Sequence, residues 1–218
     1  MTTSTAAARL LSIQVGLPAV HQAADEDKPW RTGFWKTPVD GKVWLGRTNL
    51  AGDGQAALGI HGGPDKAVLA YAASHYLAWR VELGRADLPF GAFAENFTVD
   101  GLSEQSVCLG DVYAVGEARV QVSQPRSPCW KIARRWRMPD LTARVEATGR
   151  TGWYLRVLQE GFVQAGQVLH LLERPHPEWS ITRVAATARD RKLDPEAALA
   201  LRSLPALSAA WRKALASV

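Results

Sequence analysis

Two cysteines carry the strongest chemistry available to this chain, and their settings differ. Cys129 stands in Ser123-Gln124-Pro125-Arg126-Ser127-Pro128-Cys129-Trp130-Lys131. Pro125 and Pro128 each fix φ and push the preceding residue towards extended backbone, so the thiol sits on a stiff loop. Arg126 and Lys131 flank it, and neighbouring cations favour the thiolate, the form that attacks electrophiles and ligates metals. A small buried hydrophobe is the competing reading of a free cysteine, and the local sequence leaves both open. Cys108 alternates with Val107 and Leu109 in a strand-like run and reads as core.

His61 heads His61-Gly62-Gly63-Pro64-Asp65. Two glycines and an Asx-type residue let backbone approach a ligand closely there, while a turn histidine making one hydrogen bond is the alternative. Glu95-Asn96 is a polar pair entering a strand, and solvent exposure accounts for it slightly better than function does. Arg134-Arg135-Trp136-Arg137 mixes cations with an aromatic, a combination that binds nucleic acid through phosphates and stacking. With nine tryptophans in the chain, a solvated face anchored by Trp136 is the plainer reading. Gly52-Asp53-Gly54-Gln55-Ala56-Ala57 fits G-x-G-x-x-A, but Gly59 and Gly62-Gly63-Pro64 follow too soon for the helix a dinucleotide site needs. It reads as a tight turn. His61-Gly62-Gly63 is similar to an esterase oxyanion loop, yet no G-x-S-x-G elbow accompanies it. The histidines and cysteines show no zinc-ligand spacing.

Short alternating runs must position these residues. Strands are expected at 10–15, 42–46, 68–71, 96–99, 107–109, 111–115, 118–122, 152–159 and 167–173, with glycines punctuating them. Residues 21–28 read as a polar loop. Helices are expected at 74–83, capped by Ser74, and at 140–148, capped by Asp140 and stopped by Gly149. Many short strands with regular turn signals argue for a β-barrel or sandwich. Arg174-Pro175-His176-Pro177 marks a junction. Beyond it lie three short helical patterns, opened by Ser180, by Asp194-Pro195-Glu196 and by Ser208. Helices this short are marginal alone, so they must pack together or against the barrel. The fold class is mainly β with α: a barrel domain over 1–174, then a three-helix module over 178–218.

Composition sets the outer limits. The chain has 218 residues, 47% of them hydrophobic, which suits one globular domain with a small appendage. A net charge of +5 suggests an anionic ligand or partner. No apolar run is long enough to span a membrane. Residues 6–20 hold Gln14, Pro18 and only Arg9 as a base, a poor signal peptide. Two cysteines without framework spacing suit a reducing compartment, so the expected location is the cytoplasm.

Six segments, taken in order, resemble one family. They are Thr32-Gly33-Phe34-Trp35-Lys36-Thr37-Pro38-Val39, Gly52-Asp53-Gly54-Gln55-Ala56, His61-Gly62-Gly63-Pro64-Asp65-Lys66-Ala67, Glu95-Asn96-Phe97-Thr98, Gln124-Pro125-Arg126-Ser127-Pro128-Cys129 and Thr148-Gly149-Arg150-Thr151-Gly152-Trp153-Tyr154. The chain resembles the MOSC domain proteins (molybdenum cofactor sulfurase C-terminal-like), and within them the bacterial YiiM-like group, including that group's helical tail. The resemblance implies a MOSC-type β-barrel that binds the molybdenum cofactor (molybdopterin), a molybdenum held by a pterin dithiolene. It implies that Cys129 ligates the metal or carries sulfur, and that N-hydroxylated compounds such as hydroxylaminopurine base analogues are reduced. His61 joins Cys129 as a catalytic candidate, while Lys36, Thr37, Asp65, Lys66, Asn96, Arg126 and Ser127 match positions expected to line the cofactor site.

Elementary chemistry agrees with that reading. Thiolates are soft ligands suited to a metal already carrying sulfur. A pterin phosphate is an anion for which Lys36, Lys42, Arg47 and Arg126 are sensible partners. The chain shows no flavin, haem or iron–sulfur motif, so electrons are expected from a separate reductase. A sulfur carrier with a persulfide on Cys129 is the alternative, a basic nucleic-acid module a remoter one, and a homodimer is admitted. Two residues depart from the family pattern. Ala94 stands where glycine is usual before Glu-Asn, and Ala57 where aspartate is frequent. If position 94 needs positive φ, alanine costs on the order of 1 kcal/mol there.

Overall fold

In the computed structural model residues 7–22 and 28–216 are described. Most of the polar loop expected at 21–28 lies outside them, as do the outer ends of both expected domains. In chain order the strands are β1 (Arg9–Val15), β2 (Ala19–His21), β3 (Trp30–Thr32), β4 (Thr37–Pro38), β5 (Lys42–Leu45), β6 (Val68–Ala72), β7 (Phe97–Asp100), β8 (Val112–Val115), β9 (Ala118–Pro125), β10 (Trp153–Gln159), β11 (Gly161–Gln164) and β12 (His170–Glu173). The helices are α1 (Leu58–His61), α2 (Ser74–Glu82), α3 (Lys131–Trp136), α4 (Leu141–Thr148), α5 (Ile181–Arg189), α6 (Pro195–Ser203) and α7 (Ala209–Ala216), with a 3₁₀ turn at Pro64–Lys66.

Eight strands form one curled mixed sheet in the order β12-β8-β9-β10-β6-β7-β1-β4. Its one parallel pair among the described residues is β6 with β7. A parallel pair needs a crossover, and α2 lies on it. β6 is covered on both faces and buried at every position, which explains its run Val-Leu-Ala-Tyr-Ala. The two ends of the sheet meet. Leu10 N–H donates to Gln167 O at 2.9 Å, Gly166 N–H to Leu10 O at 2.7 Å and Leu169 N–H to Ala8 O at 2.9 Å. β1 is therefore paired on both sides, and the barrel expected from the sequence closes there. The expected strand at 167–173 divides accordingly: its first residues close the barrel and the last four pair with β8.

Inside the barrel pack Leu10, Ile13, Phe97, Val99, Val120, Val122, Leu155 and Val157. A second core joins α2, α3 and α4 through Tyr71, Tyr76, Trp79, Phe93, Ile132, Leu141 and Val145. A third holds the C-terminal helices together around Trp179, Val184, Leu201, Leu207 and Leu215, and it includes Leu109 of the barrel domain. The helical module is thus docked, as its short helices require. Ile181 enters the barrel core, and Ser208 N–H donates to Ser123 O at 3.0 Å.

Ser180, Asp194 and Ser208 cap their helices as expected, accepting from the amides of Arg183, Ala197 and Trp211. Asp140 makes no side-chain cap, and its carboxylate lies 3.9 Å from Arg144 instead. Ser74 is the first residue of α2 and not its cap. Residues 107–109 form no strand: Cys108 makes a single bridge to Ser180. Cys108 is buried, as read from its alternation. No helix of the described residues is long and apolar enough to cross a membrane.

Candidate active site

Cys129 is placed by the end of β9. Pro125 pairs with Trp153 of β10, and Arg126 N–H donates to Gly152 O at 3.1 Å, extending the ladder by one residue. The chain then turns into α3. Ile132 N–H donates to Cys129 O at 3.0 Å and Thr142 Oγ1 to the same oxygen at 3.4 Å. The backbone of Cys129 is held from two sides, and its side chain is half-buried.

His61 arrives from a different part of the chain. It ends the four-residue α1, which closes through Gly62 N–H to Leu58 O at 3.1 Å. Gly63 follows at φ 97°, a conformation open to glycine, and Pro64 starts the 3₁₀ turn into β6. His61 Nε2 lies 3.8 Å from Cys129 Sγ.

The opposite wall rests on buried carboxylates. Asp53 accepts from Gly16 N–H at 2.9 Å and Asn96 Nδ2 at 2.9 Å, and it pairs with Lys36. Asn96 also accepts from Leu69 N–H at 3.1 Å and donates to Gln14 O at 3.2 Å, so one side chain ties β6, β1 and the Asp53 turn. Glu95 accepts from Gly91 N–H, Phe93 N–H, Thr98 Oγ1 and the Tyr76 hydroxyl. The expected exposure of Glu95 and Asn96 is therefore wrong; both are buried. Burial is tolerable because the carboxylate finds enough donors. Ala94, between these supports, sits at φ 64°, the left-handed conformation that glycine would adopt without strain.

These walls enclose a cleft that is open to solvent. Cys129, His61, Lys36, Lys66, Asn96, Arg126 and Ser127 all line it. Thr37 does not: it is exposed on β4, paired with Val15. Nor does Asp65, which pairs with Arg156 at 2.9 Å and accepts from Ala209 N–H at 3.2 Å, fastening α7 to the turn after His61. Lys42 is exposed on β5, and Arg47 donates to the carbonyls of Val157 and Leu158. Neither lines the cleft.

Gln55, Lys131 and Tyr154 line the cleft without having been assigned to it, and Asp53 supports it from behind. The signal for Asp53 was its glycine-flanked turn. Gly54 and Gly33 come so close that a Cβ on Gly33 would lie 2.3 Å from Gly54 O, so the turn needs glycine for contact.

The cleft is rich in cations. Burial lowers the Lys36 ammonium from the ordinary lysine range, with Asp53 holding it up in part. Lys66 is lowered the same way, partly offset by Asp65. His61 is lowered first by burial, then by Lys131, Lys66 and Arg126. Arg126 is only 6% exposed, forms no ion pair among the described residues, and makes one long side-chain hydrogen bond, to Thr151 O at 3.4 Å. Gln55 donates to Asn49 Oδ1 at 2.6 Å, but its Oε1 is buried without a partner. An anion answers the first imbalance and an N–H donor the second.

No group of three or more metal-ligating side chains exists among the described residues. One thiol beside one imidazole fits a metal that arrives already ligated, and together with the cationic wall it fits a phosphorylated pterin dithiolene. The Arg134-Arg137 run lies beside the cleft, not in it. Arg134 stacks over Trp30 at 4.7 Å and Arg135 over Trp35 at 5.2 Å, with Arg135 Nη1 donating to Phe34 O at 2.9 Å.

Similarity to known proteins follows this geometry. Residues 57–170 match the MOSC domain, and residues 179–217 match the YiiM-like 3-alpha helix domain. Protein YiiM of Escherichia coli strain K12 is 38% identical over 89% of this chain and 86% of its own length. A fungal protein named "Reductase", from Gibberella moniliformis, is 39% identical over 74% of this chain, which spans only 29% of that protein. The crystal structure of YiiM from Geobacillus stearothermophilus superposes with a TM-score of 0.81 at 38% identity, covering 96% of this chain and 97% of that one. The second match begins two residues beyond the Pro-rich junction, where the helical module begins. The chain belongs to the MOSC domain family, in its YiiM-like group.

Proposed function

We propose that this protein is a molybdenum-cofactor-dependent reductase of N-hydroxylated compounds, with Cys129 as the protein ligand. The observation that carries it is the Cys129–His61 pair at 3.8 Å in a cleft whose buried Arg126 lacks an anion. The reaction would break the N–O bond: R–NH–OH takes two electrons and two protons and gives R–NH₂ and water. The electrons come from a separate electron-donating reductase. When bound, the cofactor supplies the two-electron chemistry. Cys129 must lose its proton to ligate, and His61, held in its neutral form by burial and three cations, is the base within reach. Arg126, Lys66 and Lys131 would hold the cofactor's phosphate, and Gln55 Oε1 would offer an acceptor to a pterin N–H.

The test is molybdenum content and N-hydroxy reduction in protein made by cells that can synthesise the cofactor, compared with cells that cannot. Molybdenum is expected in the first sample alone. Cys129→Ser replaces a soft donor with a hard, weakly acidic one and should stay folded while reduction drops at least about 100-fold. Cys108→Ser, buried and remote in role, should keep activity. Wild-type turnover by Cys129→Ser at equal cofactor loading would end this reading. The same half-buried thiol beside an imidazole also suits a sulfur carrier. That second reading requires one added sulfur on Cys129, visible by mass spectrometry.

A further inference from the structure

Behind the 125–128 loop lies a second, larger space. It is a groove of about 1630 Å³, open to solvent, bounded by that loop, the end of α4, and helices α5 and α7 of the C-terminal module. Arg126 and Ser127 line both this groove and the cleft that holds Cys129. The two spaces therefore share a wall two residues long.

The α5 face of the groove carries Ala185, Ala186 and Ala188 between Ile181, Thr182 and Arg189, and the small side chains leave room but do not say for what. Two guanidinium groups do. Arg126 is nine-tenths buried, with no ion pair among the described residues and one long hydrogen bond. Arg191 donates Nη1 to Ala188 O at 3.1 Å, while its Nε is buried without a partner. Of the carboxylates that line the groove, Glu104 accepts from Gly152 N–H at 2.6 Å and pairs with His75 at 2.7 Å, and Glu146 is exposed on α4. Arg189 is forked onto Asp190. A buried guanidinium N–H without an acceptor is costly, and a groove that sets the Arg191 guanidinium beside alanines fits an amphiphilic anion.

We propose that this groove is the substrate compartment, and that the substrate pairs an apolar or aromatic body with an acid group, carboxylate or phosphate, received by Arg191, while Arg126, assigned above to the cofactor's phosphate, forms the wall between the two spaces. The N-hydroxy function would then reach the metal side across the Arg126–Ser127 wall. The substrate's identity rests on the reductase reading above; the acid-binding groove does not.

Two measurements separate those failures. Calorimetry on holoprotein with benzoate and with adenosine 5′-monophosphate, neither of them reducible, tests the groove and distinguishes carboxylate from phosphate. Wild type should bind one of them, and Arg191→Gln should weaken that binding about tenfold, the loss of one charge-assisted hydrogen bond. Anions held only by the cations around Cys129 would not feel that change. No binding by wild type, or equal binding by Arg191→Gln, overturns the proposal. If Arg191→Gln does not fold, Ala185→Leu fills the groove by bulk and is judged by the same two outcomes. The second measurement is the ratio of kcat/KM for an acid-bearing over a neutral hydroxylamino compound, which should fall about tenfold in Arg191→Gln. Absence of any N-hydroxy reduction, with probe binding intact, sinks the reductase reading and the substrate's identity, and leaves the anion groove standing.

Discussion

His61 is the residue whose environment makes the sharpest claim about pH. Burial and three neighbouring cations hold its pKa below the ordinary imidazole value of about 6.5. The unfolded chain therefore takes up a proton that the folded chain resists. Stability from this group is complete above about pH 6.5 and is lost as pH falls through the lowered value. Thermal melts between about pH 8 and pH 5 should show that decline, and His61→Gln should flatten it; an unchanged curve would mean the cations are not felt. In the sequence, His61 and Cys129 stood out because glycine and proline neighbours marked their loops as fixed. Glu95 did not, because nothing local says that Tyr76, Gly91, Phe93 and Thr98 converge on one carboxylate. Asp65 shows the opposite failure: its motif neighbours line the cleft, while its own side chain reaches Arg156 and α7.

Strands were more legible than short helices. Period-two alternation marks the first half of β9 and most of β10, since one face of each is buried there. α1 and α3 run for four and six residues, too short for a 3.6-residue period to show. α3 forms because tertiary contacts hold it, through Ile132 in the second core. The turn entering β7 carries its own prediction. Ala94 at φ 64° bears steric strain that glycine lacks, offset in part by glycine's greater freedom when unfolded. Ala94→Gly should stabilise the protein by about 0.5–1 kcal/mol, read as a higher urea midpoint at unchanged slope. A lower midpoint would show that the Ala94 methyl, which lines the cleft, packs better than its backbone suffers.

At the scale of the molecule, the two matched regions are parts of one folded body. The helical module covers Leu109, places Ile181 in the barrel core and reaches the His61 loop through Asp65. Deleting residues 179–218 would uncover Leu109, take Ile181 out of the barrel core and remove one side of the groove. The truncated chain should melt well below the full chain or aggregate on expression, in line with core losses of about 2–5 kcal/mol per large side chain. A truncated chain with the full-length melting temperature would show the barrel to be self-sufficient.

The closing seam between β1 and residues 166–169 also bears on how the chain is made. Arg9 faces Val168 across that seam, so the two partners leave the ribosome some 8–30 s apart at about 5–20 residues per second. Until the second arrives, β1 can pair with β7 on one side and with β4 only at Gln14 and Val15 on the other, and must present the rest of that edge, from Ala8 to Leu10, to whatever else is present. Contacts this distant along the chain slow folding. The amides of Leu10 and Leu169 should accordingly be among the last protected from exchange during refolding, and the nascent barrel will need a chaperone's cover longest along that one edge.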